Sequence, residues 1–121
     1  MKSLINSFKY AFNGIKYCWY NELSFRIHTV IAGWAVVMSI ILNISYIEWV
    51  AVLSAIIFVL VCEMLNTSFE ALNDLTHKKK NGYSKISKDV AAGAVLASVM
   101  YSIVIGCIIF IPKIIMIIQG T

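Results

Sequence analysis

Charged side chains are scarce in this chain. They make up 13% of its 121 residues, while 60% of the residues are apolar. A soluble domain carries about 25% charged and about 45–50% apolar residues, so an ordinary soluble fold is excluded and an integral membrane protein is expected. Cysteine is scarce too. Cys18, Cys62 and Cys107 are odd in number and scattered, without disulfide or metal spacing, and read as free thiols. The first 25 residues lack the uninterrupted apolar core of a cleavable signal, because Lys2, Lys9, Lys16 and Glu22 interrupt them. No repeat, low-complexity segment or second domain is visible. Neither a GxxxxGK phosphate loop nor a GxGxxG turn is present, so any nucleotide site must be of another kind.

What the chain does have is long uncharged stretches. They cover roughly 27–47, 49–62 running on through Leu65, and 90–112. The first and third suffice to cross a ~30 Å hydrocarbon core at 1.5 Å per residue. The second reaches span length only if Glu63 and Asn66 lie near its end, close to one membrane surface. The expected architecture is an all-α integral membrane protein, with an N-terminal surface helix at about 2–20 and membrane helices at about 27–47, 48–76 and 88–112.

The basic residues set the orientation. Lys2, Lys9, Lys16 and Arg26 precede the first span, and Lys78, Lys79, Lys80, Lys85 and Lys88 lie between the second and third. The connection "NISYIE" has no Lys or Arg, and Lys113 is the lone base of the C-terminal tail. The positive-inside rule therefore places the N-terminus and the 75–89 loop in the cytoplasm and the C-terminus outside. Before the first span, Leu4, Phe8, Phe12, Ile15 and Trp19 fall at spacings of 4, 4, 3 and 4, on one helix face. Lys2, Lys9 and Lys16 lie about a quarter turn away, which suits a helix in the headgroups with snorkelling lysines. A helix packed on the protein's own spans is the alternative. Asn81-Gly82 is a turn signal. Gly93 and Ala97, with Ala91, Ala94 and Ser98, give the third span a small-residue surface for close helix approach.

The stretch "CEMLNTSFEALND" at 62–74 is unusual for a membrane helix. A charge at depth costs roughly 2.5–3.5 kcal/mol on insertion scales, so such residues are usually paired, metal-bound or functional. Glu63, Asn66, Glu70 and Asp74 fall within an arc of about 80° on a helix, with Glu63 and Glu70 about 10 Å apart. Glu22 and the pair Lys88-Asp89 border the same side. Carboxylates in a row suit Mg²⁺, which takes oxygen ligands and is typically held by one or two carboxylates plus substrate phosphates. A poorly solvated carboxylate is a stronger base toward a hydroxyl. A nearby lysine neutralises charge developing in phosphoryl transfer. The constellation points to a kinase acting on a lipid alcohol, with no nucleic-acid partner.

"NE" at 21–22, "FRIH" at 25–28, "EMLNTSFEALND" at 63–74 and "KDVAAGAV" at 88–95 resemble, in order and spacing, the small bacterial membrane diacylglycerol kinase family. The pattern E-x-L-N-[ST]-x-x-E is the specific part. The resemblance implies a homotrimer in the bacterial cytoplasmic membrane, each protomer having three membrane helices and a surface helix. Active sites would lie between subunits at the cytoplasmic face, using ATP and Mg²⁺. It implies Glu63 as general base, Asn66 beside it, and Glu22 and Glu70 as metal ligands. Lys88 and Asp89 would sit near the nucleotide phosphates and Tyr10 near the nucleotide; Asp74, from its place on the acidic helix face, is expected in the same cofactor site. Residues 79–81 correspond to a loop over the adenine, although their sequence differs from the family's. Plainer readings stand beside these: Glu63 as a structural buried acid, Glu70 as a solvated acid, Glu22 as a helix-end charge. Asp89 could be an N-cap of the third span, Lys88 a membrane-edge anchor and Tyr10 an interfacial aromatic. His28 and His77 lack metal spacing and receive no chemical role.

Two branches of the family differ in lipid, diacylglycerol or undecaprenol. Ile27 and His28 after "FR", together with "SFKYAFNGIK" and "KDVAAGAVL", look like the undecaprenol branch. Undecaprenol is therefore the expected substrate and diacylglycerol the alternative. A small channel or proton-coupled transporter is the reading from another class. Against it, the acids cluster near the cytoplasmic end, and little polar remains elsewhere beyond Asn43 and Ser54. The topology is directly testable: Asn81→Cys should be labelled by an impermeant thiol reagent only from the cytoplasmic side. Labelling on intact cells would reverse the arrangement.

Overall fold

The computed structural model describes residues 1–76 and 82–120. These form four helices: α1 Lys2–Asn21, α2 Leu23–Ile41, α3 Tyr46–Thr76 and α4 Gly82–Ile118. Three have the length and apolarity to cross a membrane, over Leu23–Ile41, Tyr46–Leu75 and Gly82–Ile118. The expected turn at Asn81, the 79–81 loop and His77 lie outside the described residues.

The first span stops at Ile41, six residues before the expected 47, because the chain turns there. Asn43 adopts φ 51°, the left-handed region in which Asn is tolerated. The Asn43 N–H donates to the Ile40 carbonyl at 3.2 Å and the Ile44 N–H to the Ser39 carbonyl at 3.3 Å. These two bonds close α2 in a Schellman motif and satisfy its last carbonyls. The residue after the turn, Ile44, is buried with Val52 and Ile109 in an apolar cluster between α3 and α4. Ser45 and Glu48 then open α3 as a capping box: the Glu48 N–H donates to Ser45 Oγ and the Ser45 N–H to Glu48 Oε1. Lys113 Nζ lies 3.2 Å from the same Glu48 oxygen, tying the far end of α4 to the start of α3.

α4 is longer than the expected 88–112 at both ends. It continues through Pro112 to Ile118. A membrane helix tolerates proline where neighbouring groups or local adjustment relieve the lost backbone bond. At the other end it begins at Gly82, so Asp89 lies inside the helix and is not its N-cap. At 37 residues α4 is about 55 Å long, well beyond a ~30 Å core, so part of it projects out of the membrane.

α3 is the centre of the bundle. It packs on α4 most extensively, on α2 next, and touches α1; among the described residues α2 and α4 do not pack on each other. Ser102 Oγ donates to the Ala55 carbonyl at 3.2 Å, and Phe58 meets Tyr101 edge to face at 5.9 Å. Of the small residues of α4, Ala91 and Ser98 are buried and Gly93 and Ala97 face outward. The α1–α2 elbow is at Glu22, whose extended backbone (φ −115°, ψ 107°) separates the helices. Arg26 Nη1 donates to the carbonyls of Trp19 and Tyr20, each at 3.3 Å, and so caps α1. Leu4, Phe8, Phe12, Ile15 and Trp19 remain exposed along α1.

Because Ser45 satisfies an orphan N–H at the start of α3, Ser45→Ala should cost about 0.5–2 kcal/mol. The expected result is an earlier unfolding midpoint in detergent titrations, and an unchanged midpoint would show that the box is dispensable.

Candidate active site

Glu63 is the most deeply placed charged side chain of the described residues, at 4% exposed. One helical turn separates it from Val59, a wall residue of an apolar groove of about 380 Å³ between α2 and α4, floored by α3. Ala32, Ala35, Val52, Ala55 and Gly106 are among its lining residues, and His28 is its polar one nearest Glu63. His28 Nε2 lies 3.2 Å from Glu63 Oε1. The imidazole was given no chemical role on sequence grounds, and the structure sets it against the one carboxylate the sequence marked most strongly. The missed signal was available: the rule that singles out an ionisable residue inside an apolar run applies to His28 as it does to Glu63.

The other acids surround this pair on the side where α1 meets α3. Glu22 and Glu70 are both close enough to act on the charge of Glu63. Glu22 is half-buried at the α1–α2 elbow, held there by the Glu22 N–H to Cys18 carbonyl bond of 2.9 Å and by the Arg26 cap. Cys18 is the buried anchor of α1. Burial pushes its thiol pKa up, with Glu22 and Glu63 adding to the rise and a hydrogen bond with Thr67 opposing it. Thr67 is buried as well, and its hydroxyl donates to the Glu63 backbone carbonyl at 3.0 Å, leaving the carboxylate free of it.

The expected line of polar residues on α3 divides between neighbours. Asn66 is half-buried and lines a second, smaller cavity with Ser87, Val90, Ala91 and Ala94 of α4. Asn73, which sequence reasoning passed over, is buried and donates to Ser87 Oγ at 3.3 Å. Asp74 lies 4.0 Å from Lys88 Nζ, at the edge of ion-pair range and largely in water. Asp89 pairs with Lys85 one turn away on the same helix, both exposed. Tyr10 is 68% exposed on α1, about 18 Å along the helix from Glu22 at 1.5 Å per residue. The chain thus sets His28 against Glu63, brings Glu22 and Glu70 within electrostatic reach of that carboxylate, and pairs Asp74 with Lys88 farther along α3. It does not bring Tyr10 or Asp89 to that carboxylate.

Glu22 and Glu70 present hard oxygen donors, the ligand type Mg²⁺ takes. Among the described residues no three or more His, Cys, Asp and Glu side chains converge as a metal cage. Two carboxylates are the number that typically holds Mg²⁺ alongside phosphate oxygens.

Comparison with known proteins identifies the family. The chain matches the family described as prokaryotic diacylglycerol kinase over residues 9–110. It is 33% identical to an undecaprenol kinase of Bacillus subtilis, covering 93% of this chain and 92% of that protein. It is 32% identical to a diacylglycerol kinase of Synechocystis, covering 91% of this chain but 63% of that longer protein. It is 29% identical to the diacylglycerol kinase of Escherichia coli K12, covering 88% and 87%. A match across most of the chain, on three apolar helices with one buried acid in the second of them, places this protein in the prokaryotic diacylglycerol kinase family of lipid kinases.

Proposed function

We propose that the chain is an ATP- and Mg²⁺-dependent kinase of a membrane lipid alcohol, working as a homotrimer in the bacterial cytoplasmic membrane. Undecaprenol is the favoured substrate and diacylglycerol the alternative. The observation that carries this reading is the position of Glu63: a buried carboxylate where an apolar groove ends and a group of acids begins. An apolar chain lying in the groove brings its terminal hydroxyl to the carboxylate.

Each residue then has a task. Glu63 takes the hydroxyl proton as the lipid oxygen bonds to the γ-phosphorus. The bond from that phosphorus to the β–γ bridging oxygen breaks, and ADP leaves. Glu22 and Glu70 would hold Mg²⁺, which supplies charge neutralisation at the phosphates. Lys88, placed by Asp74, adds a second positive charge toward the phosphates. Asn66 stands one turn from Glu63 as a polar neighbour of the base. Asp89 and Tyr10 reach a nucleotide only from a neighbouring protomer or a moved α1, and the exposed faces of α1 and of Gly93–Ala97 leave room for such a neighbour. In this arrangement α1 lies in the headgroup layer with its apolar side in lipid.

The undecaprenol preference rests on the residues after "FR" and on the similarity to the Bacillus subtilis enzyme along nearly its full length. Identity alone does not separate the two lipids, since the diacylglycerol kinases are at 32% and 29%. The channel reading has less support, because the groove is apolar and the acids gather at one end of it.

Purified protein in bilayers, given labelled ATP, Mg²⁺ and either lipid, should phosphorylate undecaprenol faster. A clear preference for diacylglycerol would overturn the lipid assignment and leave the kinase reading standing. In the same assay Glu63→Gln should bind ATP–Mg²⁺ normally yet lose transfer about 10²–10⁴-fold, the usual worth of a general base. Retention of more than about a tenth of the parent rate would remove Glu63 from that role.

The metal site makes a separate prediction. Glu22→Gln and Glu70→Gln should each raise the Mg²⁺ concentration needed for half-maximal activity, because a neutral amide does not replace a lost charge at a two-carboxylate site. An unchanged Mg²⁺ dependence in both would take these residues out of the site.

A further inference from the structure

We propose that His28 is the positioning residue of Glu63: its imidazole holds one carboxylate oxygen and leaves the other free to take the lipid proton. This rests on the lipid-kinase reading above. The side chains involved are well shielded, with Glu63 at 5% exposed and His28 at 23%, and Nε2 lies 3.2 Å from Oε1.

The surroundings of Glu63 explain why it needs such a partner. Of the described groups near it, Glu22 and Glu70 are like charges, and the His28 ring is the group set directly against its carboxylate. Cys18 on α1 is a protonated thiol at neutral pH and offers no positive charge. Thr67 spends its hydroxyl on the backbone carbonyl. α4 contributes no charged group to this set. A glutamate has three side-chain torsions, and one left among two neighbouring acids would swing away from them. Proton transfer needs the carboxylate within about 2.6–3.2 Å of the hydroxyl, so a freely swinging base is a poor one.

The position of the imidazole supplies the other half of the argument. His28 also lines the apolar groove, one wall of which ends at Val59 a turn from Glu63. One ring therefore touches both the carboxylate and the space from which an apolar substrate would arrive. With the ring nitrogen 3.2 Å from Oε1, Oε2 is the oxygen left for the hydroxyl.

The test compares His28→Ala and His28→Gln with the parent in bilayers containing undecaprenol or diacylglycerol. An amide N–H can replace the imidazole N–H, so Gln distinguishes a lost donor from a lost shape. His28→Ala should lower kcat about tenfold or more with KM for ATP–Mg²⁺ unchanged, and His28→Gln should recover most of the loss. A kcat within about twofold of the parent in His28→Ala overturns the role, as does a His28→Gln no better than Ala. A KM for ATP–Mg²⁺ that rises in step with the fall in kcat also overturns it. A second reading needs no turnover: the ¹⁵N imidazole resonances of His28 should shift in Glu63→Gln, and unshifted resonances overturn the contact. A parent that phosphorylates neither lipid defeats the kinase reading and this role with it. An active parent indifferent to His28→Ala defeats the role alone.

Discussion

The constraint on which the rest of this structure depends is the cost of keeping the Glu63 carboxylate in an apolar setting. A charge at membrane depth is expensive unless something holds it. Here α2 brings His28 against it, while Glu22 and Glu70 crowd it with like charge. On the proposed reading, those acids are the groups that would receive a metal and phosphates.

The remaining elements serve to fix where the helices cross. The Schellman turn at Asn43 and the capping box of Ser45 and Glu48 set the start of α3, and Lys113 fastens α4 to it. At the other end Arg26 caps α1, and the elbow residue Glu22 lies near the buried Cys18, which also meets Thr67. α3 runs between these two anchored ends. Its N-terminal half floors the apolar groove, and its C-terminal half carries the acids. The boundary between the apolar groove and the acids thus falls at one residue, Glu63.

Much of this was legible in the sequence because its causes are local. Composition and uncharged run length announced membrane helices. Charge inside an apolar run marked Glu63, and the 3- and 4-residue spacings put Glu63, Asn66, Glu70 and Asp74 on one face. The lysine distribution speaks to orientation in the same direct way. The helix ends were less legible. The first span was expected to run to 47 because "LNISYI" is uncharged; hydropathy does not register a left-handed Asn or a capping serine.

The sequence by itself determined that the chain is a helical membrane protein with a row of acids near the end of one span, since periodicity and transfer cost act residue by residue. Only the tertiary structure decided which groups meet. His28 and Glu63 are 35 positions apart and belong to different helices, so no spacing rule joins them; the packing of α2 on α3 does. The same is true of Asn73 with Ser87 and of Lys88 with Asp74, which depend on α4 starting at Gly82 and running alongside α3. It also drew Asn66 toward α4 and left Asp89 with Lys85, because a helix face read as one stripe is shared among whichever neighbours pack against it.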